Sequence, residues 1–178
     1  MANSLGNKNT GRRYRPVFVF LLVGIFLGWV SEAKAFSTNT TIDASAEINS
    51  AAQLTITPSA INFRDANPDA MPSIPANENP VVVTAYAQTT GNKTVTLTVL
   101  AAGDLVSGND RILIDNVTWT ATGSGFSGGT MSKSSPQNAG SWQRSGTRTG
   151  TFSFFLKNSW SYATGNYAQT VTYTLTSP

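Results

Sequence analysis

Asp65, Asp69, Glu78, Asp104, Asp110 and Asp115 are the side chains whose type suits them best to chemistry. A carboxylate can serve as general acid or base, nucleophile or hard-metal ligand. A paired-carboxylate hydrolase needs two of them facing each other across a cleft. Nearly all six fall in predicted turns, where Asp caps local backbone amides. Asp104 and Asp110, in Gly-Asp-Leu-Val-Ser-Gly-Asn-Asp, could bring oxygens to calcium, but their spacing departs from the EF-hand loop, and the turn reading is preferred. The sequence holds no His and no Cys. That removes the usual nucleophile–base pairs, leaves every Ser hydroxyl without an imidazole, and takes away the common ligands of transition metals. The expectation is a non-enzyme without cofactor or metal. Aromatic stacking on sugars is the remaining chemistry, with Trp119, Trp142, Trp160 and Tyr162 as candidates. Trp119 sits in an alternating strand and reads as core, whereas Trp142 and Trp160 lie in polar contexts that suit core and surface equally.

The elements that would position these residues are strands. Period-two alternation of apolar and polar residues dominates the chain, and Thr, Val, Gly and Asn are abundant, as strands and tight turns require. Strands are predicted over 41–49, 53–57, 81–88, 93–101, 111–122, 151–157 and 167–176, with a brief one at Ile61 and Phe63. Residues 64–80 hold Pro68, Pro72, Pro75 and Pro80 and read as a long, partly stiffened loop. Residues 103–110 read as a turn, and 123–150 as Gly- and Ser-rich with short extended pieces near Phe126 and Trp142. No helical periodicity follows the first 35 residues. Seven to nine short strands predict an all-β, immunoglobulin-like β-sandwich, with a jelly roll or small barrel as alternatives.

Residues 1–35 read as a signal peptide. Arg12, Arg13 and Arg15 precede the apolar run Val17 to Val30, and Ala33-Lys34-Ala35 supplies the small-x-small cleavage signal before Phe36. The run is about fourteen residues, short of the roughly twenty of a spanning helix. Nothing later in the chain is apolar for long enough to span a bilayer, so no stable membrane insertion is expected after cleavage. Five of the twelve basic residues and one of the nine acids lie in the leader, so the mature chain carries seven bases and eight acids. No basic patch remains to recruit nucleic acid. Export permits disulfides, yet there are no cysteines to form them.

The segment following the leader has the most informative pattern. Ile42, Ala44, Ala46 and Ile48 share one face of an extended chain, and Asp43, Ser45, Glu47 and Asn49 the other. Such a terminus suits two arrangements equally: pairing within its own domain, or donation to a neighbouring subunit.

Thr40 to Phe63, reading TTIDASAEINSAAQLTITPSAINF, resembles the start of spore coat protein U domains and of the related subunits of archaic chaperone–usher pili. Gly165-Asn166-Tyr167 and the alternating residues to Thr176 resemble that family's closing strand. The chain departs from it at Ala51-Ala52-Gln53, where the family often has Cys, and at Phe63-Arg64, where it often has Phe-Gly. The resemblance implies an immunoglobulin-like fold lacking one strand, with residues 36–49 as donor extension and 50–178 as sandwich. It implies Ile42, Ala44, Ala46 and Ile48 as donor plugs, and Tyr167, Val171, Tyr173 and Leu175 as the border of the acceptor groove. The partners it implies are further copies of the chain, a periplasmic chaperone and an outer-membrane usher. The product would be an extracellular fibre, assembled by donor-strand exchange, for adhesion, biofilm or a coat. The rival expectations are a monomeric secreted binding module, for carbohydrate for instance, and a matrix fibre outside the chaperone–usher system.

Overall fold

The structure is a computed structural model that describes residues 42–178; the predicted signal peptide and its cleavage residues Ala33, Ala35 and Phe36 lie outside the described residues. Alternation becomes architecture most plainly in β3, Val81–Gln88, where Val81, Val83, Ala85 and Ala87 are buried and the residues between them face out. One antiparallel sheet carries this strand second from its edge. β1 (Ala51–Thr57) flanks it on one side and β10 (Gly146–Lys157) on the other, followed by β7 (Val117–Thr122) and the two-residue β8 (Gly129–Thr130). The short β2 (Ser73–Pro75) pairs with the end of β10. The second sheet has the order β11 (Val171–Thr176), β4 (Thr94–Ala101), β9 (Gln137–Gln143). A small hairpin of β5 (Leu105–Ser107) and β6 (Asp110–Ile112) completes the strands.

The two larger sheets pack face to face as a sandwich. Val95, Leu97, Val99 and Ala101 of β4 meet Val81, Val83, Phe152 and Phe154 in one continuous core. Burying each large aliphatic or aromatic side chain contributes about 1.5–3 kcal/mol. With no disulfide, that burial and the strand ladders hold the fold together. Trp119 is 2% exposed and Trp142 7%, so both are core residues. The Trp119 indole donates to the Ser127 carbonyl at 2.8 Å, and Phe126 packs against Trp142 at a centroid distance of 5.9 Å. Removing Trp142 from the surface corrects its candidacy for sugar stacking.

Several predicted strands differ. Residues 42–49 carry no strand and are exposed throughout, because alternation sets a face but supplies no partner edge. Ile61 and Phe63 form no strand, though both are half-buried against the core. The predicted strand 111–122 is broken into β6, a 3-10 turn at Ile114–Asn116, and β7. The cause is Asp104: its Oδ1 accepts the Ile114 amide at 3.1 Å, while Asn116 N–H returns to the Leu113 carbonyl at 3.0 Å. The predicted turn 103–110 is itself the β5–β6 hairpin, and β10 extends five residues earlier than Thr151, to Gly146. The last strand is shorter than predicted, beginning at Val171 rather than Tyr167.

Candidate functional site

β11 pairs with β4 along one edge, and among the described residues its other edge has no strand partner. Half of an edge strand's backbone donors and acceptors then remain open to pairing. The side chains repeat the message. Val95, Leu97 and Val99 of β4 are at most 1% exposed, whereas Val171, Tyr173 and Leu175, on the same face of the adjoining strand, are only half-buried. β1 borders β11 at this margin from the opposite sheet, presenting Leu54 and Ile56, also half-buried.

One end of the margin is closed. Ser177 Oγ donates to the Gln88 carbonyl at 2.7 Å, and Thr89 Oγ1 donates to the Pro178 carbonyl at 2.6 Å. The other end opens into a cleft of about 1060 Å³, walled by Ile61, Phe63, Leu105, Tyr162, Tyr167 and Val171 among others. Two anchors hold its walls. Asn62 donates through its backbone to Glu78 Oε2 at 2.7 Å and through its side chain to Oε1 at 2.8 Å, and its carbonyl accepts from Asn77 N–H at 2.9 Å. These bonds turn residues 61–63 toward the loop before β3 rather than toward β11. The Asn62 donors hold the Glu78 carboxyl below its ordinary range.

The second anchor is Asp104, the one charged side chain in the core among the described residues. Its carboxylate accepts from Lys133 Nζ at 2.5 Å and from Ile114 N–H, and its backbone carbonyl accepts Gln169 Nε2 at 2.7 Å. These donors outweigh desolvation and hold the Asp104 carboxyl below the usual range. Through Gln169 and the Val106–Ala168 bridge the hairpin is fastened to the entry of β11. Asp104 is thereby committed to structure, and Asp110 sits exposed on β6. Among the described residues no group of three or more Asp, Glu, His or Cys is placed to hold a metal.

The predicted border residues lie on β11 or just before it. Val171, Tyr173 and Leu175 are its half-buried face, and Tyr167 lines the cleft just before that strand, its hydroxyl donating to the Ala163 carbonyl at 2.9 Å. Ile42, Ala44, Ala46 and Ile48 lie in the exposed irregular segment before β1, with Ile48 73% exposed. Trp160 is 68% exposed at the cleft, its indole reaching Asp69 Oδ1 at 3.2 Å, while Tyr162 is half-buried and donates to the Lys157 carbonyl at 3.0 Å. Burial, and then the charge of Asp115, push the Tyr162 phenol up. The wall made by the β5–β6 hairpin was missed from the sequence. Its signal was Gly108-Asn109 between short apolar pairs, with Gly108 in the left-handed region at φ 58°.

No protein-family model matches the chain, and no curated protein matches it.

Proposed function

We propose that this chain is the structural subunit of an extracellular surface fibre that polymerises by donor-strand exchange. In this reading the sandwich is an immunoglobulin-like fold lacking one strand, and residues 42–48 of one copy complete the sheet beside β11 of the next. The observation that carries it is the bare edge of β11 over half-buried Val171, Tyr173 and Leu175, in a chain whose own alternating segment stays unpaired. Inserting Ile42 and Ile48 contributes roughly 1.5–3 kcal/mol each, the two alanines less. The donated backbone also satisfies an edge that would otherwise invite aggregation. Residues 1–35 direct export, and a periplasmic chaperone and an outer-membrane usher are the partners such a groove calls for.

The test mixes the mature chain, residues 36–178, with a synthetic peptide of residues 36–50. Stoichiometric capture of the peptide, with shortening of the fibres it caps, is the expected result. A mature protein that stays monomeric at high concentration and captures no peptide overturns the proposal.

Trp160 favours a second reading. An exposed indole at the mouth of an apolar cleft suits a monomeric module that stacks on a sugar ring. Native size separates the two, since the module predicts a monomer.

A further inference from the structure

The outer face of the larger sheet is nearly free of charge. Outward positions of β1, β3, β10, β7 and β8 hold ten threonines, and Lys157, the last residue of β10, is the one charged residue among them. Strand pairing lines these threonines up. Thr55, Thr84 and Thr149 form one row across the sheet, and Thr57, Val82, Thr151 and Thr122 form the next. The Thr122 and Thr151 hydroxyls bond each other at 2.7 Å. Val82 and Tyr86, both exposed, flank Thr84 on β3. A soluble surface is as a rule about 25–35% charged. A face that drops charge and keeps an exposed Tyr has instead the composition of an interface centre.

We propose that this face packs on the same face of a second copy in another fibre, so that fibres associate side by side. The inference rests on the strand-exchange reading for the fibre and adds what joins one fibre to its neighbour. A threonine hydroxyl both donates and accepts, so a hydroxyl face is complementary to itself, and contact strips no ion of its water. Two sheets of like twist also stack well, at about 30° to each other and about 10 Å apart. The smaller sheet offers outward threonines too, on β4 and β11. In the fibre, however, the strand donated beside β11 turns Asp43 and Glu47 outward when Ile42, Ala44, Ala46 and Ile48 face in. Stacking that sheet on a second copy would set acid against acid, which leaves the larger sheet. Four of its strands, about 4.8 Å apart and about six residues of 3.4 Å long, present about 400 Å², so a facing pair hides about 800 Å². A stable pair of free proteins needs about 1,200 Å² or more. Single subunits therefore part easily, whereas a fibre repeats the face along its length and the weak contacts add up.

The experiment grows fibres from the mature chain, images them in negative stain and pellets them at low speed, which brings down bundles and leaves single fibres. Wild-type fibres are expected to bundle. Thr84→Lys with Thr120→Lys puts like charges on both facing sheets. It should leave about tenfold more fibre in the supernatant at an ionic strength of about 0.01 M, and bundling should return by about 0.5 M as screening shortens to a few ångströms. Thr84→Glu with Thr120→Glu should behave alike on its own, and the Lys and Glu fibres, once mixed, should bundle with each other. Thr96→Lys with Thr172→Lys, on the other sheet, should bundle as the wild type does. Capture of the 36–50 peptide should be unchanged in every variant, which shows that each still folds. Wild-type fibres that stay single, Thr84→Lys/Thr120→Lys fibres that bundle normally at low salt, or an equal loss in the Thr96→Lys/Thr172→Lys variant overturns the inference. Failure to form fibres or capture peptide sinks strand exchange instead, and sedimentation of the monomer at millimolar concentration then decides the face. Pairing of the wild type but not of Thr84→Lys/Thr120→Lys supports it there, and a wild type that does not pair overturns it.

Discussion

The ring of Tyr173 stacks on the ring of Phe152, centroids 6.0 Å apart and planes 19° from parallel. Phe152 is fully buried in the sheet opposite, so this contact fastens the bare-edged strand to the core. The Tyr173 hydroxyl is buried without a protein partner among the described residues, and burial raises its pKa. Tyr173→Phe removes an unsatisfied polar group and keeps the stack, so the expected change in unfolding free energy is from nothing to a gain of about 1 kcal/mol. Tyr173→Ala loses the stack and should cost about 3–5 kcal/mol. Urea unfolding of the two variants checks both; a large loss in the Phe variant would mean the hydroxyl is bonded after all.

Acid should loosen the hairpin wall. Asp104 has a folded-state pKa depressed by Lys133 and the Ile114 amide, so its stabilisation is present above the unfolded carboxylate pKa and is lost as pH falls through the lower folded value. Lys133→Met removes the largest cause. That variant should be less stable at pH 7 and should lose less stability than the wild type as pH falls below the unfolded carboxylate pKa, so the two curves converge in acid. Thermal unfolding from pH 7 to pH 2 measures this. Parallel acid losses in the two proteins would contradict it.

Gly150 is a packing position. A Cβ there would collide with the Thr122 carbonyl and the Phe126 ring, just beyond the Thr151–Thr122 end of the β10–β7 pairing. Gly150→Ala should destabilise by about 1–3 kcal/mol through overpacking. A change under about 0.5 kcal/mol would show that Phe126 moves aside freely.

Ala46→Arg separates donation from folding. Residue 46 is exposed and unpaired in its own chain, so the unfolding midpoint should shift by no more than about 0.5 kcal/mol. In the groove of a neighbour the same substitution forces a charged side chain into a site matched to a methyl group. Polymerisation and peptide capture should both be abolished. Fibres of normal length from this variant would remove Ala46 from the donor face.

Intact mass tests the leader. Exported protein should begin at Phe36, and a mass retaining residues 1–35 would overturn cleavage after Ala35.

Individual strands were legible wherever a strand is buried on one face. Val81–Gln88 matches its predicted bounds because four small apolar residues at period two suit one position against a core. β4 likewise follows from Val95, Leu97 and Val99, and Trp119 reads as core from its strand. The face of β11 was also visible, since Tyr167, Gln169, Val171, Tyr173 and Leu175 are the half-buried set. Alternation is a local property, and a single strand displays it in full.

What the tertiary structure decided was pairing and interruption. Residues 41–49 alternate as cleanly as β3, yet residues 42–49 form no strand, because a ladder needs a second edge and period two cannot say which edge is vacant. The break at Ile114–Asn116 comes from a carboxylate ten residues earlier in the chain, held in place by a lysine nineteen residues later. Trp142 looked as suited to the surface as to the core until β9 turned it inward beside Phe126. Long-range contacts of this kind depend on which strands pair and in what order, and no local spacing encodes that.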